Sequence, residues 1–296
     1  MTFTKHTVVE CSRSECIETT GELRVSNLNA SYGDKQILCD INLTVSQGEF
    51  VCLCGPNGAG KSTLLSVMAG VPDSRLKVDG DIRWSRYDAS HHSTTGVSKP
   101  PRRDLARTLA YLQQNEYSEW DFTVHDYVLQ GRYAWTRRSI FGPANYTEED
   151  HNIVNTILSE LNLSQFADRT IHTLSGGEFQ KIRLARALAQ TPRFLLLDEP
   201  AANLDYVYEP HLMALLRDTA HNKNLGILAA VHDINLAARF ADRIILLPPA
   251  RTSDNLSPKK SVLSGAPSDI MNTDNLKYTF GVDFECKEIK SFQSLQ

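Results

Sequence analysis

Five apolar residues, Phe50-Val51-Cys52-Leu53-Cys54, run directly into Gly55-Pro56-Asn57-Gly58-Ala59-Gly60-Lys61-Ser62-Thr63. A short, wholly apolar run suits a strand buried on both faces, which belongs to a sheet covered by helices. The glycines let the chain curl so that successive N–H groups point at the β- and γ-phosphates of a nucleotide. A helix opening at Ser62 adds positive potential there. Lys61 supplies a point charge, Ser62 can ligate Mg²⁺, and Thr63 reaches toward the α-phosphate. The chain is therefore expected to be an α/β protein built on a phosphate-binding loop.

A second strand carries chemistry to the same place. Phe194-Leu195-Leu196-Leu197 ends in Asp198-Glu199, and in an open parallel sheet such ends share one edge. Two adjacent acids can divide the labour: Asp198 holds Mg²⁺ directly or through water, and Glu199 polarises the water that attacks the γ-phosphate.

The remaining chain reads as alternating elements. Residues 23–45 suggest two short antiparallel strands around Tyr32-Gly33-Asp34, and a strand near Ile82 precedes a polar surface loop to Pro101. A strand over 109–112 leads to Gln113-Gln114, and a helix spans 124–131. Thr147-Glu148-Glu149-Asp150 resembles a capping box before an apolar stripe of Ile153, Val154, Ile157, Leu158 and Leu161. A helix opening at Gly177 turns Ile182, Ala185, Leu188 and Ala189 inward. A further strand over 226–231 delivers His232-Asp233. Residues 248–260 read as a linker, and the tail after it as a short strand and a helix around 269–278; there is no internal repeat.

Composition removes several classes. Lys plus Arg number 31 against 35 Asp plus Glu, a formal charge of -4, which argues against a generally basic nucleic-acid surface. No uncharged apolar run approaches the roughly 18 residues of a membrane span, and residues 1–20 lack the apolar stretch of a secretory signal. Six cysteines are too sparse for a disulfide framework and fit a reducing cytosol. Cys11 and Cys16 have no second Cys/His pair nearby and read as free thiols.

With these elements in place, Leu174-Ser175-Gly176-Gly177-Glu178 resembles the signature of the nucleotide-binding subunits of ABC (ATP-binding cassette) transporters. The resemblance covers residues 23 to about 247. It implies a P-loop core with an antiparallel β-subdomain and a helical subdomain, binding ATP with Mg²⁺. It also implies a head-to-tail homodimer in which Ser175, Gly176, Gly177 and Glu178 of one subunit close on the ATP of the other. Tyr32 resembles the aromatic that stacks on adenine. Gln114 resembles the glutamine that contacts Mg²⁺ and the attacking water, with Gln113 as the alternative register. Asn203-Leu204-Asp205 resembles the loop crossing the dimer interface, and His232 the histidine that hydrogen-bonds the γ-phosphate. Lys61, Gln114, Glu199 and His232 then form the catalytic group, and Ser62, Gln114 and Asp198 the metal ligands. Glu178 stands where the family often has glutamine and adds a negative charge near the second clamp. The implied organisation is a polar extension over 1–21, the nucleotide-binding domain over 22–248 with its helical subdomain at about 115–176, and a linker and C-terminal extension over 249–296.

Within the family, residues 123–133 and 232–242 look like importers of iron chelates, haem and cobalamin, as does the ending from Gly265 to Gly281. That likeness implies a membrane permease as direct partner, a substrate-binding protein as indirect partner, and a peripheral position on the cytoplasmic face of the inner membrane. Trp135, Arg137, Arg138 and Phe141 would lie near the permease. The alternatives are an importer of free metal ions or, from another class, an ATPase that remodels a protein or nucleic-acid assembly.

Overall fold

The computed structural model describes residues 21–84, 101–114, 120–136, 145–202, 204, 206–249 and 261–285. Strands β1 (Glu22–Tyr32) and β2 (Lys35–Ser46) form an antiparallel hairpin. They are long rather than short, because positive φ angles at Asn27 and Asp40 accompany shifts in strand register that let the pairing continue past a bulge. Next come β3 (Phe50–Cys54), α1 (Lys61–Met68) and β4 (Leu76–Trp84). Then follow α2 (Arg102–Thr108), β5 (Leu109–Leu112), α3 (Val124–Leu129) and a 3₁₀ turn over Gln130–Trp135.

Helix α4 (Glu148–Glu160) starts at the expected box, with Thr147 and Asp150 capping each other. Helix α5 (Gly176–Ala189) opens one residue earlier than the sequence suggests, because Ser175 serves as its cap. The chain continues through β6 (Phe194–Asp198), α6 (Tyr208–Asn222), β7 (Gly226–Ala230), α7 (Ile234–Phe240) and β8 (Arg243–Leu246). It ends in β9 (Leu263–Gly265), α8 (Pro267–Ile270) and α9 (Thr273–Phe280).

One sheet has the order β2-β1-β4 and the other β5-β6-β7-β3-β8-β9. Pairing is parallel from β5 to β8, and β9 runs antiparallel to β8. Every residue of β3, β6 and β7 is buried, as continuous apolar strands covered on both faces must be. Phe50, Cys52, Cys54, Leu195 and Leu197 face one core, with Val128 of α3 and Ile182 of α5. Val51, Leu53, Phe194 and Leu196 face the other, with the antiparallel strands and α1. Each fully buried leucine in these layers contributes roughly 1.5–3 kcal/mol.

Register fixes where the chemistry emerges. Leu112 pairs with Leu197, Asp198 with Ala230, and Leu53 with Ala230. Because these strands are parallel, the phosphate loop, Gln114, Glu199 and His232 all leave the sheet at one edge. No helix among the described residues is long and apolar enough to cross a membrane.

Candidate active site

The loop after β3 is held by sterics as much as by hydrogen bonds. Ala59 N–H donates to the Pro56 carbonyl at 3.2 Å, and Leu64 N–H to the Gly60 carbonyl at 2.8 Å. Gly60 has φ 96°, and a Cβ there would stand 2.8 Å from Leu38 Cδ2 and 3.2 Å from the Ile37 carbonyl. Only glycine suits both constraints. A Cβ on Gly55 would collide with the Leu247 carbonyl of the neighbouring strand end. No side chain caps α1, so its first-turn N–H groups stay open to an anion. Asn57 and Gly58 are exposed at the tip, while Pro56 and Thr63 are half-buried.

Lys61 is 5% exposed, and its ammonium donates to the carbonyls of Gly55 at 2.8 Å and Pro56 at 3.2 Å. Burial lowers its pKa, against the opposing fields of Glu199 and Asp198. Ser62 Oγ donates to Asp198 Oδ1 at 3.0 Å. Asp198 is itself 4% exposed, and burial pushes its carboxyl above the ordinary range despite the Ser62 hydrogen bond. A hydroxyl and a carboxylate oxygen side by side are the hard donors that Mg²⁺ takes, together with phosphate and water, so the residues present fit that ion.

Glu199 has a left-handed backbone, φ 52°, which turns its carboxylate out of strand geometry. Oε1 lies 2.5 Å from His232 Nε2, and Oε2 accepts a short hydrogen bond from Gln114 Nε2. Gln114, not Gln113, therefore extends its side chain to the acid; Gln113 offers its carbonyl to Arg183. The sheet edge thus brings Lys61, Ser62, Asp198, Glu199, His232 and Gln114 together.

The other motif residues stand apart. Ser175 and Glu178 form a closed box: Ser175 N–H and Oγ donate to Glu178 Oε2 at 2.7 and 2.8 Å, and Glu178 N–H donates to Ser175 Oγ at 3.3 Å. The negative charge expected near the clamp is therefore held in a helix cap, and these bonds keep the Glu178 carboxyl below its usual pKa. Gly176 has open space around it, and a Cβ on Gly177 would touch Leu204 at 3.4 Å. No hydrogen bond or ion pair among the described residues joins this box to Lys61 or Ser62. Tyr32 ends β1 on the three-stranded sheet, paired with Lys35 and Leu76. Asn203, Asp205, Arg137, Arg138 and Phe141 lie outside the described residues, as do Cys11 and Cys16.

Trp135 is 38% exposed and pinned in place. Its indole N–H donates to the Gln190 carbonyl at 2.9 Å, and the guanidiniums of Arg107 and Arg132 lie 4.8 and 5.2 Å from its ring centre. Sequence reasoning missed Gln180 and Arg183 of α5, whose side chains reach the chain beside Glu199 and Gln114. The available signal was an arginine set between Ile182 and Leu184 in a buried run.

A glycine-rich anion loop, a strand-end carboxylate pair and a glutamine and histidine converging on the outer acid define a P-loop nucleotide-binding protein. A family model described as ABC transporter matches residues 38–202, and the chain belongs to that family. The chain is 33% identical over 263 residues to the iron(3+)-hydroxamate import ATP-binding protein FhuC of Bacillus subtilis, with 89% of each chain covered. It is 34% identical over 258 residues to the cobalamin import ATP-binding protein BtuD of Halobacterium salinarum. That match takes in 87% of this chain but only 58% of the Halobacterium protein. Among solved structures, a chain of an ABC transporter in an inward-facing conformation aligns with TM-score 0.68 and 26% identity, over 89% of this chain and 90% of the other.

Proposed function

We propose that this chain hydrolyses ATP, with Mg²⁺, to power import of a metal chelate of the iron-siderophore, haem or cobalamin kind. The observation that carries the chemistry is the convergence of Gln114 and His232 on the Glu199 carboxylate, beside the Ser62–Asp198 hydrogen bond. The chelate class rests on the likeness to the Bacillus and Halobacterium import proteins.

Residues 55–63 wrap the phosphates with backbone N–H groups, and Lys61 transfers its hydrogen bonds from the Gly55 and Pro56 carbonyls to phosphate oxygens. Ser62, Asp198 and Gln114 would hold Mg²⁺, which would supply positive charge to offset that of the phosphates. Glu199 accepts a proton from water as the water oxygen bonds to the γ-phosphorus and the bond to the β-bridging oxygen breaks. His232 hydrogen-bonds the γ-phosphate. Positioning and charge neutralisation supply most of the rate.

Tyr32 stacks on adenine. A second copy, head to tail, contributes Ser175, Gly176, Gly177 and Glu178, with Asp205 at the interface; one phosphate loop per chain favours a C₂ pair. The nucleotide-binding domain spans 22–248, with a helical subdomain at about 115–176 that meets a membrane permease; a substrate-binding protein feeds the permease. Exposed Trp120 and Tyr133, with the arginine-flanked Trp135, give that subdomain the aromatic and arginine content of an interface. The chain sits peripherally on the cytoplasmic face of the membrane.

The test is uptake in cells lacking and regaining this chain, with ferric hydroxamate, haem, corrinoid and free metal ions as alternative cargoes. Restored uptake of one chelate supports the proposal. Restored uptake of free metal alone would overturn the chelate class, and phosphate release indifferent to Mg²⁺ would overturn the chemistry.

A further inference from the structure

Helix α5 holds both sides of the Gln114–Glu199 contact. Arg183 is 4% exposed, and its guanidinium donates to the Gln113 carbonyl through Nη2 and to the Gln114 carbonyl through Nη1, the latter at 3.4 Å. Arg183 Nη1 also donates to Gln180 Oε1 at 2.7 Å. Gln180 Nε2 in turn donates to the Pro200 carbonyl at 2.8 Å, one residue past Glu199. Positions i and i+3 share a helix face, so one turn of α5 grips the main chain of Gln114 on one side and the main chain next to Glu199 on the other. Each gripped segment leaves the end of a different strand, β5 or β6, and has no regular element of its own to fix it.

We propose that Gln180 and Arg183 are positioning residues that set the distance between the Gln114 amide and the Glu199 carboxylate. Neither needs to touch nucleotide. Arg183 suits the task because a planar guanidinium can hold two successive carbonyls at once, whereas an ammonium is a single point charge. The helix that carries the pair is capped by Ser175, so a load applied to the signature end reaches the Gln114–Glu199 pair through three hydrogen bonds, from Arg183 to Gln113 and Gln114 and from Gln180 to Pro200. This inference rests on the ATPase reading above and adds to it the device that aligns the site.

The experiment compares wild type with Arg183→Ala, Arg183→Lys and Gln180→Ala by steady-state hydrolysis, equilibrium ATP binding and amide hydrogen exchange of the nucleotide-free protein. Loss of alignment is expected to lower kcat by roughly tenfold or more, with the ATP Kd held within about twofold because the phosphate loop is untouched. Exchange should quicken at Gln113 and Gln114 while the buried end of α5, around residues 184–189, stays protected. Arg183→Lys should recover part of kcat. Unchanged kcat and unchanged exchange at Gln113–Gln114 in Arg183→Ala would overturn the proposal, as would a fall in kcat matched by quickened exchange throughout α5. If Arg183→Ala does not fold, Gln180→Ala decides on the same criteria. Wild-type protein that does not hydrolyse ATP would instead overturn the ATPase reading.

Discussion

Ser62 and Asp198, 136 positions apart in the chain, meet through a 3.0 Å hydrogen bond from Ser62 Oγ to Asp198 Oδ1. Burial of that carboxylate costs folding free energy, because desolvation raises the Asp198 pKa while the Ser62 hydrogen bond opposes the rise.

The sign of that cost follows from linkage. A raised folded-state pKa means that the folded protein holds the proton more tightly than the unfolded chain. The penalty is absent below the ordinary carboxylate range, grows as pH rises toward the raised value, and is complete above it. Asp198→Asn, which keeps an acceptor for Ser62, is therefore expected to melt on the order of 2–4 °C higher than wild type at pH 7 without nucleotide. The gain should shrink in acid, and Mg²⁺-dependent hydrolysis should be lost. Thermal melts across pH check this; a variant melting lower than wild type at pH 7 contradicts it.

Lys61 is buried with its ammonium on two loop carbonyls. Replacing it with alanine removes charge-assisted hydrogen bonds worth about 2–3 kcal/mol to a bound phosphate, a loss of roughly 30- to 150-fold in ATP affinity. Calorimetric titration reads this directly, and an unchanged Kd would remove Lys61 from the phosphate site.

Glycines 60 and 176 separate fold from function. Gly60→Ala forces a side chain into positive φ and against Leu38, so denaturant unfolding should show a loss of about 1–3 kcal/mol. Gly176 has no neighbour within 4 Å of an added Cβ, and Gly176→Ala should stay within about 0.5 kcal/mol of wild type while ATP-driven pairing of two chains weakens. Equal stability losses at the two positions would contradict this division.

Much of the sheet edge was legible in the sequence because continuous apolar strands announce themselves, and residues that follow them emerge together. The phosphate loop, Asp198-Glu199 and His232 were found in this way. Helix α2 was not, since its seven residues bury only Leu105 and Thr108. Helix α6 was also missed, although Leu212, Met213, Leu216 and Ala220 carry a helical period; Pro210 near its start obscured it. The Glu199 contacts with Gln114 and His232, and the grip of Arg183 on Gln113, depend on register between strands distant in sequence, which no local pattern encodes. The closed Ser175–Glu178 box shows the converse: a serine followed three residues later by glutamate is the helix-start pattern, and its reading as a clamp came from resemblance alone.

In the proposed mechanism Glu199 drives hydrolysis in a site completed by two chains. The most direct measurement is Glu199→Gln with ATP and Mg²⁺, followed for phosphate release and for mass by light scattering. The amide keeps the shape of the side chain but cannot take a proton, so hydrolysis should fall by about 10²-fold or more. The 33.1 kDa chain should run as a dimer with ATP retained and as a monomer without it. Hydrolysis at the wild-type rate, or an ATP-loaded protein that stays at the mass of one chain, would contradict that mechanism.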